Sequence, residues 1–458
     1  MADAPATGGG NDRPLWIRNP LAMLCDGDAG GGLVVADGQI VELVPAGGAP
    51  RTPDATIFDA SAHVVLPGLI NTHHHFYQTL TRACPPALDK PLFPWLQALY
   101  PIWSRLTPEA FRLSVRVAFA ELMLSGTTTA SDHHYLFPSG LEDAIDIQVE
   151  EAQRLGLRAV LTRGSMSLSQ DDGGLPPRTV VQREDTILAD CERLVGTYHQ
   201  DGDGAMVQIA LAPCSPFSVT RDLMRDTAAL AAAHGLRLHT HLAETRDEED
   251  WCRERFGCRP VDYLEDVGWL NDRVWLAHGI WFSDPEVTRL GRAGVGVCHC
   301  PSSNMILASG TCRTLDLEAA GTPVGLGVDG SASNDGSDMI GEVRQAFLLQ
   351  RLAHGAERVS HRDALRWATE GSARCLGRRD IGRIAPGLQA DLALFTLNAL
   401  RFSGAGDPLA ALVLCGGGGA DRVMVQGSWV VEDGRIPGLD LDDLRARHQA
   451  AARALLNS

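Results

Sequence analysis

Between residues 66 and 384, short β-rich runs alternate with helix-patterned segments eight times over. The runs are HVVLPGLINTH, TTTASDHH, LRAVLTR, MVQIALAP, LRLHTHLAE, RVWLAHG, VGVCHCP and TPVGLGVDG. Thr107-Pro108-Glu109 supplies an N-cap and a proline at the first helical position, and Gly126 follows the last periodic residue of that helix. DPEVTRLGRAG and SHRDALRWATEGSARCLG read as helices of the same kind. Strand and helix in strict alternation predict an α/β fold, a (β/α)8 TIM-type barrel rather than a doubly wound sheet. No GxGxxG follows the first strand, so a dinucleotide-binding fold has no support.

The flanks have a different texture. LWIRN, GLVVADGQIVELVPAGG and TIFDA are short strands punctuated by Gly and Asp, and GRIAPGLQADLALFTLN and ADRVMVQGSWVVEDGRI repeat that style near the end. A small β-sandwich domain built from both chain ends is the expectation, from 13–65 and 385–437, around a barrel at 66–384. Residues 1–12 read as a flexible tail and 438–458 as a C-terminal helix.

Composition removes several function classes. Hydrophobic residues make up 45% and charged residues 21%, which excludes a disordered or fibrous chain. A formal charge of -17 repels phosphate backbones and argues against a nucleic-acid partner, though not against a single base as substrate. The N-terminus MADAPATGGGND lacks the apolar stretch of a secretory signal, and no run reaches membrane-spanning length; a cytoplasmic, membrane-free protein is expected. The 11 cysteines are odd in number and scattered, and read as reduced thiols, with Cys298 and Cys300 as buried strand residues. Lys90 is the only lysine, so any mechanism that needs a Schiff-base, P-loop or carbamylated lysine must use it or be discarded.

His73-His74-His75 ends the first barrel strand. Alternation puts His73 and His75 on one face and His74 on the other. His239, His241 and Glu244 end the fifth strand, His278 the sixth and Asp329 the eighth. In a parallel barrel these ends share one mouth. Imidazoles with one carboxylate suit a divalent first-row cation with an open position. Spacing alone does not choose between His239 and His241, which share a strand face. His133 and His134 end the second strand, His299 the seventh, and Asn334 and Asp335 read as supporting or loop-capping groups. His354, His361 and His448 fall in helical, solvated contexts.

From the β domain ending in LPGLINTHHH, through GVDGSASND, to the closing GLQADLALF, the sequence resembles the amidohydrolase superfamily, in its mononuclear deaminase and chlorohydrolase branch. The resemblance implies one divalent metal ion, zinc by default with iron possible, on His73, His75, His241 and Asp329. It implies that Glu244 is a proton shuttle, that His278 stands beside the reacting water and substrate, and that Asp329 accepts a proton. The offset to Glu244 selects His241 over His239 by this resemblance. Binuclear relatives bridge two metals with a carboxylated lysine, and Lys90, in the loop after the first strand, is not at the end of a middle strand. An acid shuttle suits an amine leaving group, which departs poorly unless protonated, better than chloride.

Gln78 lies five residues beyond His73, an offset at which guanine deaminases have a similar glutamine. Where those enzymes carry an arginine before a phenylalanine, this chain has Ala212-Pro213-Cys214-Ser215-Pro216-Phe217. NTHHHFYQTLTRA, LFPWLQALYPIWSRLTPE and CHCPSSNMILASG instead resemble the 8-oxoguanine deaminases of the branch, implying hydrolysis at C2 to urate and ammonia. Gln78, Trp103, Cys214 and His278 are the expected substrate contacts, with Trp95 and Tyr100 as further walls of a flat slot. The competing expectations are an s-triazine chlorohydrolase or aminohydrolase, a guanine or pterin deaminase and, from another class, a non-catalytic scaffold of the same fold. The intact five-residue motif speaks against the last. A small purine-like substrate and a homo-oligomer complete the expected partners.

Overall fold

The computed structural model describes residues 13–457, so the tail expected at 1–12 lies outside the described residues. Two sheets form a small β-sandwich. One has the order β4-β3-β1-β5, from β1 (Leu15–Arg18), β3 (Gly32–Ala36), β4 (Gln39–Val44) and β5 (Thr56–Asp59). The other runs β17-β16-β15-β6-β2, from β2 (Ala22–Met23), β6 (His63–Pro67), β15 (Leu392–Thr396), β16 (Arg422–Val425) and β17 (Ser428–Val431). Ile17, Leu33 and Ile40 of the first sheet close on Val65, Leu392, Leu394 and Met424 of the second, so both chain ends contribute to one apolar core.

The eight runs form one parallel sheet: β7 (Leu69–Asn71), β8 (Thr127–His134), β9 (Arg158–Ser165), β10 (Val207–Pro213), β11 (Leu238–Leu242), β12 (Val274–His278), β13 (Gly296–His299) and β14 (Val324–Leu326). The seam between the first and last strands is bridged beyond the regular ladder. Thr72 donates its N–H to Leu326 O at 3.0 Å, Asp329 its N–H to His73 O at 3.1 Å, and Val328 its N–H to Asn71 Oδ1 at 2.9 Å. The barrel is therefore closed where the first and eighth strand ends must meet.

Two local departures from the sequence reading have physical causes. HVVLPGLINTH is not one strand: Pro67 ends β6 in the sandwich and β7 starts in the barrel after Gly68. A Cβ at Gly68 would meet the Thr128 side chain at 2.1 Å, so only glycine lets the chain cross so close to β8. SHRDALRWATEGSARCLG is not one regular helix either, because it widens into a π turn over Trp367–Gly371. There the Ser372 hydroxyl donates to Trp367 O at 2.8 Å and accepts the Leu326 N–H at 3.0 Å, and Gly371 presses against Val324 O where a Cβ would sit 2.1 Å away. The helix deforms to dock on β14. The other capped helices are regular. Thr107 accepts the Ala110 N–H at the start of Pro108–Leu124, and Ser283 and Glu286 form a capping box on Asp284–Ala293. Among the described residues no helix is long and apolar enough to cross a membrane, and a final helix covers Leu441–Asn457.

A buried ion pair fastens the sandwich to the barrel. Arg158, at the start of β9, grips Asp391 with Nε at 3.0 Å and a second nitrogen at 3.1 Å, and the remaining guanidinium nitrogen donates to Gly204 O and Ala205 O. Asp391 also accepts the Gln426 N–H at 2.8 Å, and its carbonyl accepts the Gly68 N–H at 2.8 Å. Both side chains are essentially without solvent contact. Removing one partner leaves the other charge buried and unpaired. Arg158→Met is therefore expected to lower the unfolding free energy by about 3–5 kcal/mol, read from urea melts, and Arg158→Met with Asp391→Leu to cost less than the sum of the single changes.

Candidate metal centre and active site

Five histidines crowd the barrel mouth, and their hydrogen bonds sort them. Carbonyl oxygens only accept, so an imidazole nitrogen facing one carries the proton. His75 donates Nδ1–H to His133 O at 2.8 Å, and His241 donates Nδ1–H to Cys214 O at 2.6 Å. His239 donates Nδ1–H to Trp275 O at 2.8 Å, which leaves its Nε2 as acceptor for the Nδ1–H of His73, also at 2.8 Å. His278 donates Nδ1–H to Asn304 Oδ1 at 2.9 Å. The Nε2 lone pairs of His73, His75 and His241 are left without a protein donor, all buried.

These lone pairs converge. His75 Nε2 and His241 Nε2 lie 3.2 Å apart, and Asp329 Oδ1 lies 3.3 Å from the Nε2 atoms of both His73 and His75. Donors held about 2.0–2.1 Å from one tetrahedral ion stand about 3.3 Å apart, so His73, His75 and Asp329 are spaced to hold a divalent cation, with His241 beside His75. Burial and mutual repulsion push the imidazole pKa values down, to about 3 for His75, which keeps the rings neutral and able to ligate. Burial alone would raise the Asp329 carboxyl, but its contacts with the His73, His278 and His75 rings hold it well below the usual range, as a carboxylate. Its oxygens also accept from Ser303 Oγ and Gly330 N–H, each at 2.7 Å.

Two other donor groupings occur here. His133 reaches His73 and His241, yet its Nε2–H is bound to Ala212 O at 3.0 Å and its ring stacks on His241 at 4.6 Å. Cys300 reaches His278 and Asp329, and its buried thiol lies against Cys298 Sγ at 3.6 Å. His239 is used up in orienting His73, which separates it from His241 on grounds invisible in the spacing. Trp275 stacks under His239 at 4.3 Å and donates its indole N–H to Thr72 O at 3.0 Å, giving the centre a rigid floor.

Glu244 faces His278 across 3.4 Å, and His278 Nε2 lies 3.9 Å from Asp329 Oδ2. Burial raises the Glu244 carboxyl to about 7, against the pull of His278, with Asp329 and Glu248 adding to the rise. His278 is raised too: burial disfavours its charge, but Glu244 and Asp329 outweigh burial. A proton therefore sits on this pair near neutral pH. Glu244 is placed by Glu248, whose buried carboxyl reaches back from the first helical turn to accept the N–H groups of Ala243 at 2.9 Å and Glu244 at 3.0 Å. The sequence reading missed Glu248 and Asn304. An acidic residue at the third position of a helix is the signal for Glu248; nothing in the spacing marks Asn304.

A cavity opens directly above the centre. Gln78, Cys214, His241, Glu244, His278 and Asp329 all line it. Gln78 accepts the Ala332 N–H at 3.2 Å through its amide oxygen. Trp95 and Tyr100 form walls, but Trp103 is not among the lining residues. Its ring is buried behind Tyr77, Trp95 and Tyr100, and its indole N–H is bound to Thr81 Oγ1 at 3.1 Å, so it supports the wall from outside. His74 turns away to Ser337 Oγ at 2.9 Å, and His134 packs between Phe111 and Phe137. His299 is buried against Gln350, and His448 is half-buried on Thr79 Oγ1 rather than solvated.

A family model described as the amidohydrolase family matches residues 64–430. The chain is 67% identical over 443 residues to an 8-oxoguanine deaminase of Pseudomonas aeruginosa, covering 96% of this chain and 99% of that protein. It is 37% identical over 428 residues to an isoxanthopterin deaminase of an unknown prokaryotic organism, covering 89% of each. Among solved structures, an atrazine chlorohydrolase of Arthrobacter aurescens TC1 complexed with zinc superposes with a TM-score of 0.90 at 32% identity, over 96% of this chain and 100% of that one. The strand-end donor set, the closed barrel and these matches along nearly the whole length agree: the chain belongs to the amidohydrolase family.

Proposed function

We propose that this protein is a metal-dependent hydrolytic deaminase of an oxidised purine, converting 8-oxoguanine and water to urate and ammonia. The observation that carries the reaction class is Glu244, a buried carboxyl whose pKa is raised to about 7, opposite His278 and Asp329 in the cavity. The substrate follows from the 67%-identical relative, which is an 8-oxoguanine deaminase.

His73, His75, His241 and Asp329 would hold one divalent cation, zinc by default, as in the related chlorohydrolase structure, and iron as the alternative. Such a cation supplies a Lewis acid that makes hydroxide available from water at neutral pH. Asp329, kept ionised by its imidazole neighbours, takes the proton of the attacking water. His278, pinned through Nδ1 by Asn304, directs Nε2 at the reacting centre. Glu244, protonated near pH 7, gives its proton to a ring nitrogen beside C2, takes the remaining proton from the new C2 hydroxyl and passes it to the amine, and is reprotonated by the proton held on Asp329. The C2–O bond forms, the C2–NH2 bond breaks, and ammonia leaves neutral. Gln78 and Cys214 stand where the purine's polar edges pass. Chloride would need no such shuttle, which disfavours the triazine reading.

The purified zinc-loaded protein is expected to release urate, followed optically, and ammonia in equal amounts from 8-oxoguanine, and no chloride from a chlorotriazine; chloride release without urate would reverse the assignment. Glu244→Gln should bind the purine yet turn over at least ~100-fold more slowly. His241→Ala should lose stoichiometric metal, while His239→Ala should only weaken metal binding by about 10–100-fold, the scale of losing a supporting hydrogen bond. Elemental analysis against added zinc separates the two, and equal losses would remove His241 from the ligand set.

A further inference from the structure

Tyr100 is 1% exposed, and its hydroxyl has no hydrogen-bond partner among the described residues. It comes from the helix Leu92–Trp103, which supplies Leu92, Trp95, Leu96 and Tyr100 to the cavity wall. A buried hydroxyl without a partner is costly, and natural proteins keep such groups where a ligand completes them. The surroundings of Tyr100 are uncharged: Leu92, Trp95, Leu96 and Phe217 share the cavity wall with it, the Cys214 thiol and Tyr135 also line the cavity, and the charged members are Glu244, His278 and Asp329 at the reacting end. In a purine, C2 and C8 lie at opposite ends. A purine with C2 at the Glu244–His278–Asp329 end turns its C8 edge towards the uncharged wall. Guanine has a C8–H there, whereas 8-oxoguanine has a carbonyl oxygen.

We propose that Tyr100 is the specificity-determining residue for the oxidised edge, its hydroxyl donating a hydrogen bond to the C8 carbonyl oxygen of the substrate. This inference rests on the proposed purine deaminase activity and adds the group that separates an oxidised purine from its parent. Guanine in the same pose leaves the hydroxyl unpaired, and sites built around a buried polar group reject ligands that lack the complement. The ring of Tyr100 packs on Trp103 with centroids 6.0 Å apart, and removing only the hydroxyl leaves that packing in place.

The test is calorimetric binding of 8-oxoguanine and of guanine to zinc-loaded Glu244→Gln protein, with and without Tyr100→Phe. The preference for 8-oxoguanine over guanine is expected to fall at least about tenfold in Tyr100→Phe, the scale of one hydrogen bond. The ligand-free Tyr100→Phe protein is expected to melt at a higher temperature, because an unsatisfied buried hydroxyl has gone. An unchanged preference overturns the proposal. So does a lower melting temperature with equal weakening for both purines, which is the signature of packing alone. Failure of the wild-type protein to make urate would instead remove the deaminase reading, and this inference with it.

Discussion

The site depends on the proton positions of four imidazoles. Each ring places its Nδ1–H on a fixed acceptor: His133 O for His75, Cys214 O for His241, His239 Nε2 for His73 and Asn304 Oδ1 for His278. Three of these acceptor chains end on backbone carbonyls, of His133, Cys214 and, through His239, Trp275. The register of the barrel sheet therefore sets which nitrogen carries the proton, and so where the lone pairs point. A ring flipped by half a turn would lose its backbone partner inside a dry cavity, at a cost of about 1–3 kcal/mol.

The same place stores backbone strain. His278 and Asp329 adopt left-handed conformations, with φ of 72° and 62°, and Ala243 joins them at 53°. Such residues each cost about 1–3 kcal/mol. Each is held by specific bonds. The Asp329 N–H goes to His73 O across the barrel seam, and its own carboxylate binds the next N–H, of Gly330. Glu248 accepts the N–H of Ala243 and that of Glu244. The left-handed turns bring two side chains from different strands, His278 and Asp329, to face a third, Glu244. Regular extended backbone at these positions would carry the side chains along the alternation of the strand, away from the shared mouth.

Much of this was legible in the sequence, for physical reasons that can be named. Strand alternation and the shared mouth of a parallel barrel predict that His73, His75, His241, His278, Glu244 and Asp329 come together, and they do. Spacing left the choice between His239 and His241 open, and only the family resemblance made it. It turns on a chain of hydrogen bonds through Trp275, 36 residues beyond His239. Trp103 was misplaced because a helix carries aromatics on two faces. Trp95 and Tyr100 meet the cavity, while Trp103 turns to Thr81. HVVLPGLINTH hid a domain crossing: β-prone residues flank Pro67-Gly68 on both sides, and the crowding of Gly68 against Thr128 shows why the strand breaks at that dipeptide. Asn304 and Glu248 act on backbone and ring nitrogens rather than on a ligand, and such roles leave little trace in spacing.

A centre with two cations would need further free donors, and none stands in position among the described residues. Lys90 lines a separate cavity, among Ala83, Leu88 and Asp335. The end of β10, where a middle strand would present a bridging group, carries Cys214, whose thiol is pushed up to about 12 by burial and whose carbonyl is already bound to His241. His239 has both nitrogens engaged, and His133 has one nitrogen on Ala212 O with its ring stacked on His241. Each imidazole that a second ion would draw on is instead orienting His73 or packing against His241. The surplus histidines at this mouth thus hold one set of lone pairs in place, and Glu244 and His278 stand outside that set, facing each other across 3.4 Å.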